Sequence, residues 1–216
     1  MEAGHDDYTP LRKEYADLAR RYDMRWKAYI EASIRETLGR LPVRPGNSIL
    51  DVGCGTGALL QALSKAADDI MLSGIDLSAE MIGVARHKLG DAADLRQGCA
   101  ESLPFGDDRF DLVVSANVLH FIRDPDKALH EMYRVLKPAG RLIITDWCDD
   151  YLACRLLDRF LRLFNRAHFR TYGSEECRRL LERAGFTAVI VERYKISPLW
   201  GLMTGTGRKA PFESRI

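Results

Sequence analysis

The sequence predicts an α/β fold, an open and mostly parallel sheet with helices on both faces. Two stretches lead there. In Ile49-Leu-Asp-Val-Gly-Cys-Gly-Thr-Gly-Ala-Leu-Leu60 a short apolar run ends at Asp51, three alternate glycines follow (Gly53, Gly55, Gly57), and a helical pattern begins at once. A short apolar run bounded by glycine reads as a buried strand. The glycines strip Cβ atoms from a tight strand-to-helix turn, so a ligand can lie on bare backbone. The helix that follows directs its free N–H groups and positive dipole end at the turn, which favours an anionic group. The second stretch, Gly74-Ile-Asp76-Leu, ends another apolar run. Asp76 falls about 20 residues past the last glycine, a spacing that puts a carboxylate at the tip of the neighbouring parallel strand, ready to accept both hydroxyls of a ribose. The glycine spacing is G-x-G-x-G, which departs from the G-x-G-x-x-G of dinucleotide sites.

These stretches belong to a longer series. Asp51-Val-Gly-Cys-Gly-Thr-Gly57, Gly74-Ile-Asp76-Leu-Ser, Ala100-Glu-Ser-Leu-Pro-Phe105, Phe110-Asp-Leu-Val-Val114 and Val135-Leu-Lys-Pro-Ala-Gly-Arg-Leu142 resemble, in order and spacing, the successive motifs of class I S-adenosyl-L-methionine-dependent methyltransferases. The resemblance is to the type 11 branch, which includes the ubiquinone/menaquinone-biosynthesis enzymes. It implies a Rossmann-like seven-stranded sheet ending in an antiparallel strand pair, with S-adenosyl-L-methionine as methyl donor. It further implies roles for particular residues. Asp51 contacts the donor's amino group; the backbone at Gly53, Cys54 and Gly55 approaches its methionine and sugar; Asp76 holds the ribose. Leu77, Met81 and Ala100 border the adenine beside Cys99 and Glu101, while Asn117 and His120 face the methyl group. Tyr22 is the aromatic to watch in the N-terminal segment, because that segment caps the donor site in the family. Two positions depart from the family pattern. Cys99 stands where an Asp accepts from the adenine amino group, and Ala139 replaces the first glycine of Lys-Pro-Gly-Gly.

The composition sets outer bounds. A chain of 216 residues suits one domain. It carries 32 basic and 31 acidic residues, a net charge of +1 that gives no global attraction to nucleic acid. Five scattered cysteines, with no C-x-x-C pair, read as reduced thiols and predict no metal and a cytoplasmic setting. The polar N-terminus argues against a secretory signal, and no apolar run reaches the roughly 18 residues that span a bilayer.

In chain order, apolar residues at Leu11, Tyr15, Leu18, Tyr22, Trp26, Tyr29/Ile30, Ile34, Leu38 and Leu41 recur at steps of three and four. They predict an amphipathic helix broken once near Asp23, with Pro10 at its start and Gly39 with Pro42 at its stop. Its aromatic stripe is either core or the lining of a substrate pocket. A helix follows over Ala58–Ala67, then a strand over Ile70–Ile75. Ser78 caps a helix that Gly90 ends; in it Met81 is a core residue or a wall for adenine. A strand over Ala93–Cys99 comes next, and Phe110–Ser115, the most apolar stretch, is a central strand opening into Asn117-Val-Leu-His120-Phe. No Asn/Asp-Pro-Pro-aromatic tetrapeptide stands there, which argues against amino groups of nucleic-acid bases as acceptors. His120 is either a general base near neutrality or a neutral histidine hydrogen-bonded in the wall, the second reading being preferred. Asp124-Pro125 starts a helix, Lys137-Pro138 closes it, and Gly140 begins the strand Arg141–Asp146.

Over Leu152–Arg170 the arginines at 155, 159, 162, 166 and 170 share one helical face, while Leu152, Leu156, Phe160, Leu163, Phe164 and Ala167 take the other. Such a basic amphipathic helix is a solvated face, a patch for an anionic substrate, or a surface for anionic lipid that carries an apolar substrate. A helix over Ser174–Ala184 and strands over Thr187–Lys195 and Trp200–Lys209 precede a tail. The expected organisation is one domain: a helical cap (1–45), a donor-binding core (46–147), a lid (148–172), a closing helix and strand pair (173–209) and the tail (210–216). The expected activity is methyl transfer to a small-molecule or lipid-like acceptor, without nucleic acid, with peripheral membrane contact open and the oligomeric state unread. A non-catalytic donor-binding protein and an NAD-dependent oxidoreductase are the competing readings.

Overall fold

The computed structural model describes residues 8, 9, 19, 21–164, 168–197 and 200–211. The start of the expected N-terminal helix (Pro10, Leu11, Tyr15, Leu18), the positions Arg166, Ala167 and Pro198, and most of the tail lie outside these residues. Seven strands, β1 (Ser48–Val52), β2 (Met71–Asp76), β3 (Ala93–Gln97), β4 (Phe110–Ala116), β5 (Leu136–Trp147), β6 (Thr187–Lys195) and β7 (Gly201–Arg208), form one sheet in the order β3-β2-β1-β4-β5-β7-β6. Strands β1 to β5 pair in parallel, and β7 runs antiparallel to both β5 and β6. The chain winds outward from β1 to β3 and then returns to β4 on the other side of β1. Side chains on either side of such a reversal leave a crevice at the carboxyl ends of the strands, where open α/β sheets take their ligands.

The helices are α1 (Tyr22–Arg25), α2 (Lys27–Leu38), α3 (Ala58–Leu63), α4 (Ala79–Leu89), α5 (Pro125–Val135), α6 (Leu152–Phe164) and α7 (Ser174–Arg183). Alternation along each strand divides the core in two. Ile49, Leu112, Val114 and Ile143 pack with Leu60, Leu63, Ile82 and Ala85 from α3 and α4. Leu50, Val113, Leu142 and Ile144 pack with Leu129 and Met132 of α5 and Leu181 of α7 on the opposite face. A period of two sends neighbouring side chains to opposite faces, and both faces being covered explains why the strands read as continuous apolar runs.

Local chemistry fixes several boundaries. The Ser78 hydroxyl accepts from Met81 N at 3.2 Å and Asp124 Oδ1 accepts from Lys127 N at 3.0 Å, each satisfying a free helix-start donor. The break expected near Asp23 falls at Trp26, whose backbone (φ −112°, ψ 18°) leaves the helical region. Helix α6 is described over Leu152–Phe164, and the expected extension to Arg170 fails at 168–170, where Phe169 and Arg170 turn their N–H groups to the carbonyl of His120. β5 starts five residues before the expected Arg141, with a register shift across Lys137–Gly140. There the exposed Ala139 sits at φ +64°, left-handed backbone that costs a Cβ-bearing residue about 1–2 kcal/mol. Ala139→Gly is expected to raise unfolding stability by about 0.5–1 kcal/mol, after the extra unfolded-state entropy of glycine is subtracted; urea denaturation reads it.

Helix α2 lies over the tips of β4 and β5. A chain of hydroxyls runs beneath it from Thr37 through Thr145 and Thr204 to Tyr194, at 2.9, 2.9 and 2.7 Å. Thr37, Thr145 and Thr204 are buried; Thr37 Oγ1 also hydrogen-bonds the carbonyl of Ser33 at 2.8 Å, and the two threonines beyond it depend on this chain of hydroxyls for their partners.

Candidate active site

The carboxyl ends of β1, β2 and β4 open into a cavity of about 1130 Å³ of atom-free space, its open mouth included. The strand tips and the turn after β1 bring Asp51, Gly53, Cys54 and Gly55 into its wall. The end of β2 and the start of α4 bring Asp76, Leu77 and Met81; the loop after β3 brings Cys99, Ala100 and Glu101; the segment after β4 brings Asn117; α1 brings Tyr22. Tyr8, Ile30, Ile34 and Phe121 also line it. Nothing in the sequence around Tyr8 singles it out. Ile30 and Ile34 stand one helical turn apart in the N-terminal apolar stripe, and that spacing was the available signal.

The three glycines of the turn do different work. Gly53 has φ +78°, and a Cβ there would lie 2.3 Å from Val118 Cγ2; Gly57 has φ +77°, and a Cβ would press on Leu89 and Ala85 of α4. Gly55, at φ +52°, is the one whose Cβ would meet nothing within 4 Å. Bare backbone therefore serves internal packing at Gly53 and Gly57, and an open approach at Gly55. The turn also has its anion from within the chain: Asp76 Oδ2 accepts from Gly55 N at 2.8 Å, while its Oδ1 accepts from Ser78 N at 2.9 Å. The expectation of a bound anionic group gives way to a wall that is itself acidic.

Asp51 is 1 % exposed, and its Oδ2 is buried with no hydrogen-bond partner among the described residues. Burial, with the neighbouring Asp76 adding to it, pushes its pKa up to about 8. Burial also raises Asp76, opposed by the N–H groups of Ser78, Gly55 and Leu77. On the far wall Glu101 accepts from the Tyr8 hydroxyl and from Cys99 Sγ, the latter at 2.5 Å. Burial and that hydrogen bond push the Cys99 thiol up to about 12, so it stays protonated and acts as a donor. The acceptor in this corner is the Glu101 carboxylate, two residues beyond the position where the resemblance implies one.

Asn117 is held at φ +61° with both ends of its amide engaged by α2. Its Oδ1 accepts from Tyr29 Oη at 2.6 Å, and its Nδ2 donates to Ser33 Oγ at 2.8 Å. Trp147 Nε1 donates to the same Tyr29 oxygen at 2.6 Å. Asp23 accepts from Thr56 Oγ1 at 2.6 Å and pairs with Lys88, which seats α1 and Tyr22 on the glycine turn. His120 is placed differently from its expected position facing the methyl group. Its ring is 3 % exposed and is absent from the cavity wall; Nδ1 lies 2.6 Å from Asp146 Oδ1, and its backbone N–H donates to Asp146 Oδ2. It stacks on Trp147 at 4.9 Å between ring centroids, and the adjacent Phe121 takes the wall position. The Asp146 carboxylate at the tip of β5 is the physical reason, since it draws both the backbone and the ring of His120 toward the sheet.

Residues 50–144 match a family model for a methyltransferase domain of type 11. The chain is 33% identical over 163 residues to the ubiquinone/menaquinone biosynthesis C-methyltransferase UbiE of Vibrio parahaemolyticus, a match covering 69% of this chain and 62% of that protein. It is 35% identical over 144 residues to the demethylmenaquinone methyltransferase of Symbiobacterium thermophilum, covering 64% and 55% respectively. The chain thus spans about half to three fifths of the length of these curated relatives. A solved S-adenosyl-L-methionine-dependent methyltransferase of Thermotoga maritima shares the fold at a TM-score of 0.77 and 22% identity, covering 94% of this chain and 99% of that one. The match over residues 50–144, the sheet order and the glycine turn together identify this part of the chain as a type 11 S-adenosyl-L-methionine-dependent methyltransferase domain.

Proposed function

We infer that this protein transfers a methyl group from S-adenosyl-L-methionine to an apolar, quinone-like small molecule. The charge of the cavity carries the inference. Its wall holds the carboxylates of Asp51, Asp76 and Glu101 and, among the described lining residues, no Lys, Arg or His. S-Adenosyl-L-methionine supplies an electrophilic methyl on a sulfonium cation and bears an ammonium as well. A nicotinamide dinucleotide would bring its pyrophosphate into the same acidic wall without a counter-charge, at a cost that rises in a low-dielectric site.

The chain's own residues fit the donor. The orphaned Oδ2 of Asp51 is the acceptor for the ammonium, since a buried carboxylate without a partner is costly until a cation reaches it. Each Asp76 oxygen spends one lone pair on a backbone N–H and keeps another for a ribose hydroxyl. Leu77, Met81 and Ala100 border the adenine, with Glu101 taking the acceptor role that the Cys99 thiol cannot. Gly53, Cys54 and Gly55 form the floor. Ile30, Ile34, Val118 and Phe121 supply an apolar side that excludes water and suits an apolar acceptor. Tyr22 and Asn117 border the same space. Holding two reactants in line can supply about 7–11 kcal/mol, which leaves little for a side-chain base to do. His120, tied to Asp146, positions the Asn117–Phe121 segment in this reading. The names of the relatives support a quinone-like acceptor and carbon as the methylated atom. The five unpaired cysteines support a reducing, cytoplasmic setting.

Asp76→Ala tests the reading. It removes a charged acceptor worth about 1.5–3 kcal/mol, so donor affinity should fall about 10- to 100-fold by calorimetry, and conversion of donor to S-adenosylhomocysteine with a desmethyl quinol should fall at sub-saturating donor. Wild-type affinity in the variant would remove the ribose assignment. A wild-type protein that binds donor without turnover on any acceptor would favour the non-catalytic reading.

A further inference from the structure

Helix α6 buries the wrong face for an ordinary amphipathic helix. Its buried residues are Cys154 and Asp158. Cys154 Sγ donates to the carbonyl of Gly201 at 3.3 Å, and Asp158 Oδ1 accepts from His168 Nε2 at 2.8 Å and Thr171 N at 2.7 Å. These contacts turn the apolar face outward. Leu152, Leu156, Phe160, Leu163 and Phe164 are 68, 58, 57, 79 and 73 % exposed, and no described residue covers them. The other large exposed apolar residues, Met24, Trp26, Met71 and Ile190, are scattered singly along the described chain. An apolar stripe of this extent on one helix marks an interaction surface.

We propose that the outer face of α6 docks on the surface of an anionic lipid bilayer. Charge complementarity decides the occupant. Arg155, Arg159 and Arg162, at steps of four and three, form a row along one border of the apolar stripe; Arg155 lies 3.7 Å from Asp149 and Arg162 3.8 Å from Asp158, the only acid of the helix, whose other oxygen is held by His168, and both arginines stay about half exposed. With a net charge of +1 over the whole chain, attraction to an anionic surface has to come from a local row such as this one. A helix with an apolar face and a bordering row of cations lies in the plane of a membrane interface, its apolar side chains at the acyl boundary and its arginines among the headgroups. The surface rests on α6 alone and not on the donor assignment. Where both hold, docking brings the segment 168–169, which touches the buried His120 and the cavity-lining Phe121, to the membrane side.

The test is co-sedimentation of the full chain with phosphatidylcholine vesicles made with and without phosphatidylglycerol. Partition into the anionic vesicles is expected, much weaker partition into the neutral ones, and release by raised salt. Phe160→Ala should lower partition at least about tenfold, and Arg159→Ala about fivefold. Because both side chains point outward, the thermal midpoint and donor affinity should stay at wild type. Absence of wild-type partition into anionic vesicles, or unchanged partition in both variants, overturns the proposal. So does a concentration-dependent dimer that Phe160→Ala dissolves while vesicles bind nothing, which would assign the face to a second copy of the chain.

Discussion

Asp51→Asn is expected to weaken donor binding about 10- to 100-fold, the value of a charge-assisted hydrogen bond, while making the ligand-free protein more stable at alkaline pH. Both effects come from one buried carboxylate oxygen with no partner. Its pKa of about 8 in the folded protein stands above the unfolded value of about 3.9. Between those limits the folded state binds a proton that the unfolded state has lost, so this group's contribution to stability declines as pH rises from about 4 to 8 and levels off above that. Asparagine does not ionise, and the variant should lose that part of the slope. Donor binding runs the other way. A cation needs the carboxylate ionised, so wild-type affinity should climb with pH up to about 8, and binding at neutral pH should release a proton. Calorimetry in buffers of different ionisation enthalpy reads the proton, and thermal melts across the range read the stability. An Asn variant with wild-type affinity and an unaltered pH profile would contradict the assignment.

Gly53→Ala carries the second large effect, a loss of about 2–5 kcal/mol. The new methyl would meet Val118 Cγ2 at 2.3 Å and Cγ1 at 2.7 Å on backbone already at φ +78°. Left-handed backbone contributes roughly 1–2 kcal/mol and overpacking against a β-branched neighbour roughly 1–3. The two parts separate experimentally. Adding Val118→Ala should recover the packing part and leave the backbone part, and Gly55→Ala, facing open space, should show the backbone part alone. Chemical denaturation of the four proteins tests this. A Gly53→Ala loss under about 0.5 kcal/mol would show that the turn has room to relax.

What could be read from the sequence was local. The glycine turn, the Ser78 and Asp124 caps, and the acids at the tips of β1 and β2 all depend on residues a few positions apart, and the spacing of Asp51, Asp76, Cys99 and Asn117 places them at successive strand ends. Partners distant in the chain carried no comparable signal. Tyr8 reaches Glu101 across 93 positions, and His120 is drawn from the cavity by Asp146, 26 positions on. Periodicity divided α6 into an arginine face and an apolar face but held no information on which points inward. The choice is made by Asp158 with His168 and by Cys154 with Gly201. The glycine spacing marks a turn, but Val118 and Leu89, which leave no room for a side chain at Gly53 and Gly57, come from elsewhere in the fold.

The central claim is that an acidic cavity at the strand tips receives a cationic adenosyl ligand. Equilibrium titration of the wild-type chain with S-adenosyl-L-methionine and, separately, with NAD tests it most directly. Saturable binding of S-adenosyl-L-methionine that strengthens as pH rises toward about 8 is expected, with NAD too weak to compete. Tight NAD binding, or donor affinity indifferent to pH between about 6 and 8, would contradict it.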